Sequence, residues 1–196
     1  MNVKRIIAHS VLFMLLMTVI LGVVYPVVIT LVAQSVFSWK ANGSVLVVKD
    51  QIAGSALLGQ EFSSPVFFWG RLSNRVTHPS GIAVSGASNF GPLHPGLVES
   101  GIRRIKDLRT FDPVNPAPIP VDLVTASASG WDPHISAEAA FWQASRVAVH
   151  RKLDRSDVEA LIRAHIETDR FGVTADYVNV VRLNLDLERM APSRIR

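Results

Sequence analysis

IIAHSVLFMLLMTVILGVVYPVVITLVAQSVF, residues 6–37, is the stretch whose reading decides the fold. Its 32 residues contain no Asp, Glu, Lys or Arg, and His9 and Tyr25 are its only titratable side chains. About 20 apolar residues suffice to cross a bilayer core. As one continuous helix the stretch would run on the order of 48 Å at 1.5 Å per residue. The excess must go into tilt or into a helical extension beyond the lipid. The stretch is therefore predicted to be a transmembrane helix over residues 6–37, behind a tail of residues 1–5 and ahead of a folded domain over residues 38–196. Ala33-Gln34-Ser35 resembles a small-x-small cleavage site. Signal h-regions run only about 7–15 residues, however, so a retained anchor is expected.

The rest of the 196-residue chain reads differently. Apolar residues make up 48% and charged ones 18%, for a mean hydropathy of +0.28 that describes neither part well. The absence of cysteine excludes disulfides, thiol catalysis, Cys-ligated zinc and iron–sulfur clusters. With Lys4 and Arg5 set aside, the remainder carries 18 basic against 16 acidic residues, too balanced for a nucleic-acid footprint. Arg103-Arg104-Ile105-Lys106 is followed by Asp107 and reads as a solvated helix face. Lys4 and Arg5 precede the helix and the next charge is Lys40, so the N-terminus is expected in the cytoplasm and the domain outside.

The helix carries a pattern of its own. Ser10, Met14, Thr18, Gly22, Pro26, Thr30 and Gln34 recur at intervals of four, and only Met14 is large and apolar. Such a ridge lets a partner helix approach closely, so Ser10, Thr18, Gly22, Pro26, Thr30 and Gln34 are the expected partner-packing residues. Pro26 has no N–H for the carbonyl of Gly22, and a kink is expected there.

The domain predicts an α+β fold, with helices and strands mixed without a βαβ rhythm. Ala41-Asn42-Gly43-Ser44 reads as a turn. Val45–Val48, Leu57–Gln60, Val66–Trp69, Val121–Thr125 and Val178–Leu187 are strand candidates. Residues 71–91 read as a long polar loop. Pro95–Leu108 has helical spacing, and the four prolines of Asp112–Pro120 demand an extended connection. Ser136 is expected to cap a helix running to about Lys152, with Glu138 in its first turn. Ser156-Asp157-Val158-Glu159 fits a capping box opening a helix that ends before Gly172.

Catalytic patterns are thin. None of the six histidines, at positions 9, 78, 94, 134, 150 and 165, stands in an H-x-H, H-x-x-H or H-E-x-x-H arrangement, so no metal site is expected. Ser88 follows Gly86 but precedes Phe90 at the second position, so G-x-S-x-G fails. Asp132-Pro133-His134 pairs an acid with an imidazole but suits a helix-entry turn. Gly54–Gly59 lacks the Lys-Ser/Thr that ends a P-loop. Val84-Ser85-Gly86-Ala87-Ser88-Asn89 loosely resembles the L-S-G-G-Q loop of ABC-type ATPases, which makes Ser85, Gly86, Ser88 and Asn89 the candidate nucleotide contact.

Tyr25-Pro26-Val27-Val28-Ile29-Thr30, Ala41-Asn42-Gly43-Ser44, Gly54–Gln60, Phe62, Phe68-Trp69-Gly70-Arg71 and Ser85–Pro92 together resemble the C subunits of the Kdp potassium-transporting ATPase. Pro120–Ser136, with Gln143, Arg146-Val147-Ala148, Val178-Asn179-Val180 and Leu183-Asn184-Leu185, continues the resemblance in order along nearly the whole chain. Leu72, Ala87, Ala128, Trp131 and Ala137 depart from the residues usual at these places, Ala87 within the loop compared with the ABC signature. The resemblance implies a single-span, non-catalytic subunit of a high-affinity, ATP-driven potassium importer in the bacterial inner membrane. Its implied partners are a channel-like subunit that selects potassium, a P-type ATPase subunit and a small stabilising subunit. It implies no firmly bound cofactor. Two family pictures stand side by side: a catalytic chaperone that raises the ATP affinity of the ATPase subunit, with ATP as a shared ligand, and a domain seated over the outer mouth of the channel subunit. Two further readings remain, a membrane-tethered nucleotide-binding regulator and an anchored periplasmic hydrolase using Asp132, His134 and a nearby serine.

Overall fold

A computed structural model describes residues 3–48, 50–73, 76–77, 83–169 and 172–192. The chain divides into two units, Met1–Val45 and Leu46–Arg196.

The first unit is the apolar rod. Helix α1 (Val3–Val19) runs into a π-helical turn (Ile20–Val24) and on into α2 (Tyr25–Val36). No residue of these elements is buried. The 34 residues of Val3–Val36 are long and apolar enough to cross a membrane. At Pro26 the departure from α geometry takes the form of the π turn: the Tyr25 N–H donates to the Ile20 carbonyl, five residues back. The one-turn α3 (Ser38–Ala41) follows, and its Trp39 Nε1 donates to the Val45 carbonyl at 3.1 Å. Gly43, at φ +85°, makes the left-handed turn that closes the unit.

The second unit is the α+β domain. Strands β1 (Val45–Val48) and β2 (Gln51–Ser55) pair with each other. Strands β3 (Val76–Thr77) and β4 (Ala83–Val84) form an antiparallel pair, so the expected polar loop contains a small hairpin; His78 lies outside the described residues. Helix α4 (Pro95–Phe111) starts where the sequence placed it, with the His94 ring accepting from the Gly96 N–H. After the extended connection come α5 (Val121–Val124), β5 (His134–Ser136), α6 (Ala137–Arg151), α7 (Arg155–Ala164), β6 (Ile166–Glu167), β7 (Tyr177–Asn179) and α8 (Val180–Met190). Strands β5, β7 and β6 form an antiparallel sheet in that order, with Ile135 opposite Val178. The core gathers Phe68, Trp69, Leu108, Leu123, four alanines of α6 (Ala139, Ala140, Ala144 and Ala148), Val158, Ile162 and Leu183.

Several expectations need correction. Val178–Leu187 is a strand for only its first two residues. Val181, out of phase with the alternation, is in phase with a helix whose buried residues are Val180, Val181, Leu183, Asn184 and Leu187, and Asn179 Oδ1 caps it by accepting from Arg182 N. Val121–Val124 is one helical turn, because Pro120 fixes its entry and the Leu123 N–H reaches the Pro120 carbonyl. Leu57–Gln60 is a turn: Leu57 N donates to Ser55 Oγ and Leu58 N to the Ser55 carbonyl. Ser156 lies inside α7, which begins at Arg155 after Asp154; the helix ends at Ala164, before Gly172 as expected. Glu159 takes Arg155 and Arg163 at 2.7 and 2.9 Å instead of reaching back to a cap. Ser136 does cap α6, accepting from Ala139 N at 3.0 Å.

Val66–Trp69 is not a strand: it opens in a turn, with the Phe67 N–H on the Ser64 carbonyl at 3.2 Å, and is held by side chains. The carbonyls of Pro65 and Phe67 accept from the Arg146 guanidinium at 2.5 and 3.0 Å, and that of Val66 from Arg151 at 2.8 Å. The carbonyls of Phe68, Trp69 and Gly70 accept from Asn184, Gln143 and Arg104. Asn184 Oδ1 and Gln143 Oε1 take the Phe68 and Trp69 N–H groups, both at 2.8 Å. Six successive carbonyls thus find donors without a neighbouring strand, which meets the need to pair buried backbone groups.

Candidate functional site

The clamped segment delivers Arg71 to the Pro120–Ser136 block. Arg71 donates to Asp132 Oδ2 at 3.1 Å and to the Ala126 carbonyl at 3.2 Å. Asp132 Oδ1 accepts from the His134 backbone N–H at 3.0 Å and lies 3.5 Å from His134 Nδ1. The His134 side chain, its backbone N–H and the Arg71 guanidinium hold the Asp132 carboxyl below the usual carboxylate range, against the opposing effect of partial burial. Asp122 fastens the far end of the block, its Oδ2 accepting from Ser136 N at 2.7 Å.

A glycine lets the Leu57–Gln60 turn close on this block. Gly59 N donates to the Trp131 carbonyl at 2.7 Å, and a Cβ at position 59 would stand 2.5 Å from the Asp132 carbonyl oxygen. Asn179 Nδ2 donates to the Ala56 carbonyl at 2.8 Å, tying the same turn to β7.

Within the segment, the Trp69 ring meets two guanidiniums, Arg104 at 4.7 Å and Arg146 at 4.6 Å from its centroid. Burial lowers Arg104 to about 10, and burial with the charge of Arg104 lowers Arg146 to about 9, so both stay charged at neutral pH.

Arg71 and Asp132 form the wall between two open clefts. One, of about 580 Å³, is lined by Asp122, Asp132, His134, Asp169, Asp176 and Tyr177. The other, of about 740 Å³, is lined by Leu57, Leu58, Ser85, Ser129, Trp131 and Pro133. Among the described residues, no group of three or more His, Asp or Glu side chains is placed to hold a metal ion.

The expected nucleotide residues do not act together. Ser85 lines the second cleft, and its Oγ donates to the Ser129 carbonyl at 2.9 Å. The Gly86 N–H also goes to the Ser129 carbonyl, at 3.1 Å. Ser88 is half-buried, and Asn89 is exposed with φ +52°. In the hydrolase reading, Ser136 Oγ is committed to capping α6, and His134 Nε2 faces the Asn179 amide nitrogen at 3.5 Å.

On the rod, Ser10, Thr18, Gly22, Pro26, Thr30 and Gln34 are all exposed. Thr18 Oγ1 donates to the Met14 carbonyl at 2.8 Å, and a Cβ at Gly22 would meet nothing within 4 Å. Gln34 makes a two-way amide pair with Asn42, at 3.0 and 3.3 Å. Sequence reasoning gave no role to Arg71, Gln143, Arg146 or Asn184, and it placed Arg104 on a solvated helix face, whereas Arg104 turns inward over Trp69 and donates to the Leu123 and Gly70 carbonyls. The available signal was a polar residue in phase with a buried helix face, as with Gln143 and Arg146 on α6 and Asn184 on α8.

Comparison with known proteins covers the rod and the domain together. Residues 7–189 match the family model described as KdpC, "K+-transporting ATPase, c chain". A protein of Dechloromonas aromatica named "Potassium-transporting ATPase KdpC subunit" is 44% identical over 96% of this chain and 99% of its own length. Proteins of the same name from Herpetosiphon aurantiacus and Polynucleobacter asymbioticus are 45% and 48% identical, over 90% and 88% of this chain and 92% of their own lengths. The match takes in the apolar rod, the clamped segment and the Pro120–Ser136 block, and the chain belongs to the KdpC family.

Proposed function

We propose that this chain is the accessory subunit of an ATP-driven potassium importer in a bacterial inner membrane, working through assembly with partners and carrying no reaction of its own. The observation that carries this reading is the family match over residues 7–189, which spans both the membrane helix and the domain. The partners are a potassium-selecting channel-like subunit, a P-type ATPase subunit and a small stabilising subunit. Lys4 and Arg5 keep the short N-terminal tail in the cytoplasm, so residues 1–5 are cytoplasmic, 6–37 span the membrane and 38–196 lie in the periplasm. The two clefts on either side of Arg71–Asp132 are the contact surface toward the channel-like subunit.

A chaperone role that raises the ATP affinity of the ATPase subunit through Ser85, Gly86, Ser88 and Asn89 needs the domain on the cytoplasmic side. Topology therefore decides between the two pictures. Affinity purification of the tagged full chain in mild detergent, with mass spectrometry of its companions, tests the core of the proposal. Recovery of a polytopic channel-like protein with a P-type ATPase is expected, and a chain recovered alone from potassium-starved cells contradicts it.

A further inference from the structure

The π turn leaves a backbone acceptor open inside the span. In an α-helix the Leu21 carbonyl would receive the Tyr25 N–H, and in a π turn that of residue 26. Here the Tyr25 N–H goes to the Ile20 carbonyl, and residue 26 is proline, with no N–H. The two amides that an α-helix or a π turn would offer the Leu21 carbonyl are thus both withheld. Leu21 stands 18 residues after Val3 and 15 before Val36, close to the middle of the apolar rod. Water is scarce at that depth, and lipid tails donate no hydrogen bond, so an open carbonyl there calls for a protein donor. The adjacent Gly22 leaves the approach open.

We infer that the Leu21 carbonyl is a docking point for a membrane helix of another subunit, one that presents a side-chain hydrogen-bond donor such as Ser, Thr, Asn or Gln. The inference rests on the proposed membership of a membrane complex and adds the chemistry of the contact. Two local features serve it. Pro26 withholds the amide that would close the site from within, and Gly22 keeps side-chain bulk off the neighbouring position. Interhelical hydrogen bonds of this kind are modest in strength, so loss of one should change retention by about five- to tenfold.

Pro26→Ala returns the missing N–H and lets the helix satisfy its own carbonyl. The full complex, co-expressed and purified in mild detergent, should retain about five- to tenfold less of the Pro26→Ala chain under detergent challenge. The Pro26→Ala chain should still resist alkaline extraction from membranes. Gly22→Leu, which blocks the approach by bulk alone, should lower retention in the same way, and Leu12→Ala should not. A direct readout is available because Leu-Gly occurs twice, at Leu21-Gly22 and Leu58-Gly59. Carbonyl-¹³C leucine with ¹⁵N glycine then gives two selected signals in solid-state NMR. The Leu21 signal should move to a hydrogen-bonded position between the chain alone in lipid and the assembled complex, and Pro26→Ala should abolish that move. An unmoved Leu21 signal, with Pro26→Ala retained as well as wild type, overturns the inference while leaving the proposed function standing. A wild-type chain that joins no complex overturns both.

Discussion

The apolar rod and the segment Pro65–Gly70 solve the same problem in opposite ways. Each must satisfy backbone groups where water is scarce. The rod does it locally, by helical hydrogen bonds four or five residues apart, with none of its residues buried against the rest of the chain. The segment does it remotely, through Arg104, Gln143, Arg146, Arg151 and Asn184, which stand 34 to 116 positions further on. Local solutions tolerate changes of side chain, whereas remote ones depend on single residues. The rod's one departure, at Leu21 and Pro26, is where it too comes to depend on something distant.

Arg146→Ala should break the comparison most sharply. It strips donors from the half-buried Pro65 and Phe67 carbonyls and removes the guanidinium from the face of Trp69. The expected cost is about 3–5 kcal/mol, read by thermal unfolding of the full chain in detergent. Arg146→Lys should not restore stability, since one ammonium cannot reproduce the fork that meets two carbonyls and Gln143.

Gly59→Ala comes next. Its Cβ would stand 2.5 Å from a backbone oxygen, so the Leu57–Gln60 turn must lift off the Asp132 block. About 1–3 kcal/mol should be lost, with Trp131 fluorescence reporting the altered surroundings.

Asp132→Asn should cost less, about 1 kcal/mol or below, because the pair is partly exposed. Its mark is in the pH profile. The Asp132 carboxyl is held below its ordinary range in the fold, so it contributes stability above about pH 4 that is lost as pH falls through the lowered value. Wild type should therefore lose stability more steeply below about pH 4 than Asp132→Asn does, in acid-titrated unfolding curves. At the end of the series, Leu12→Ala on the exposed rod should leave the melting temperature of the domain unchanged.

This contrast also explains what could be read from sequence. The helix of the rod was legible because 32 residues without a charge form one uninterrupted apolar run. Helices α4 and α6 were legible from spacing and, for α6, from the Ser136 cap. The clamped segment was not, since Val66–Trp69 has a strand's composition and only the polar residues of α6 and α8 show that no strand pairs with it. Val178–Leu187 was misread for a related reason: a strand of three residues runs directly into a helix, and two periods overlap at Val180 and Val181. Gln143, Arg146 and Asn184 stood among the residues that carried the family resemblance. Their role required knowing which backbone they face. The π turn was half visible in Pro26, which announced a break but not its form.

The most direct measurement of the account is the side of the membrane on which the domain lies. The chain has no cysteine, so a single Val173→Cys in the exposed part of the domain gives one site for an impermeant maleimide. In intact spheroplasts Val173→Cys should be labelled without permeabilisation, while Val3→Cys, ahead of Lys4 and Arg5, should require it. The reverse pattern, or a chain released from membranes by alkali, would contradict an anchored subunit that works from the outer face.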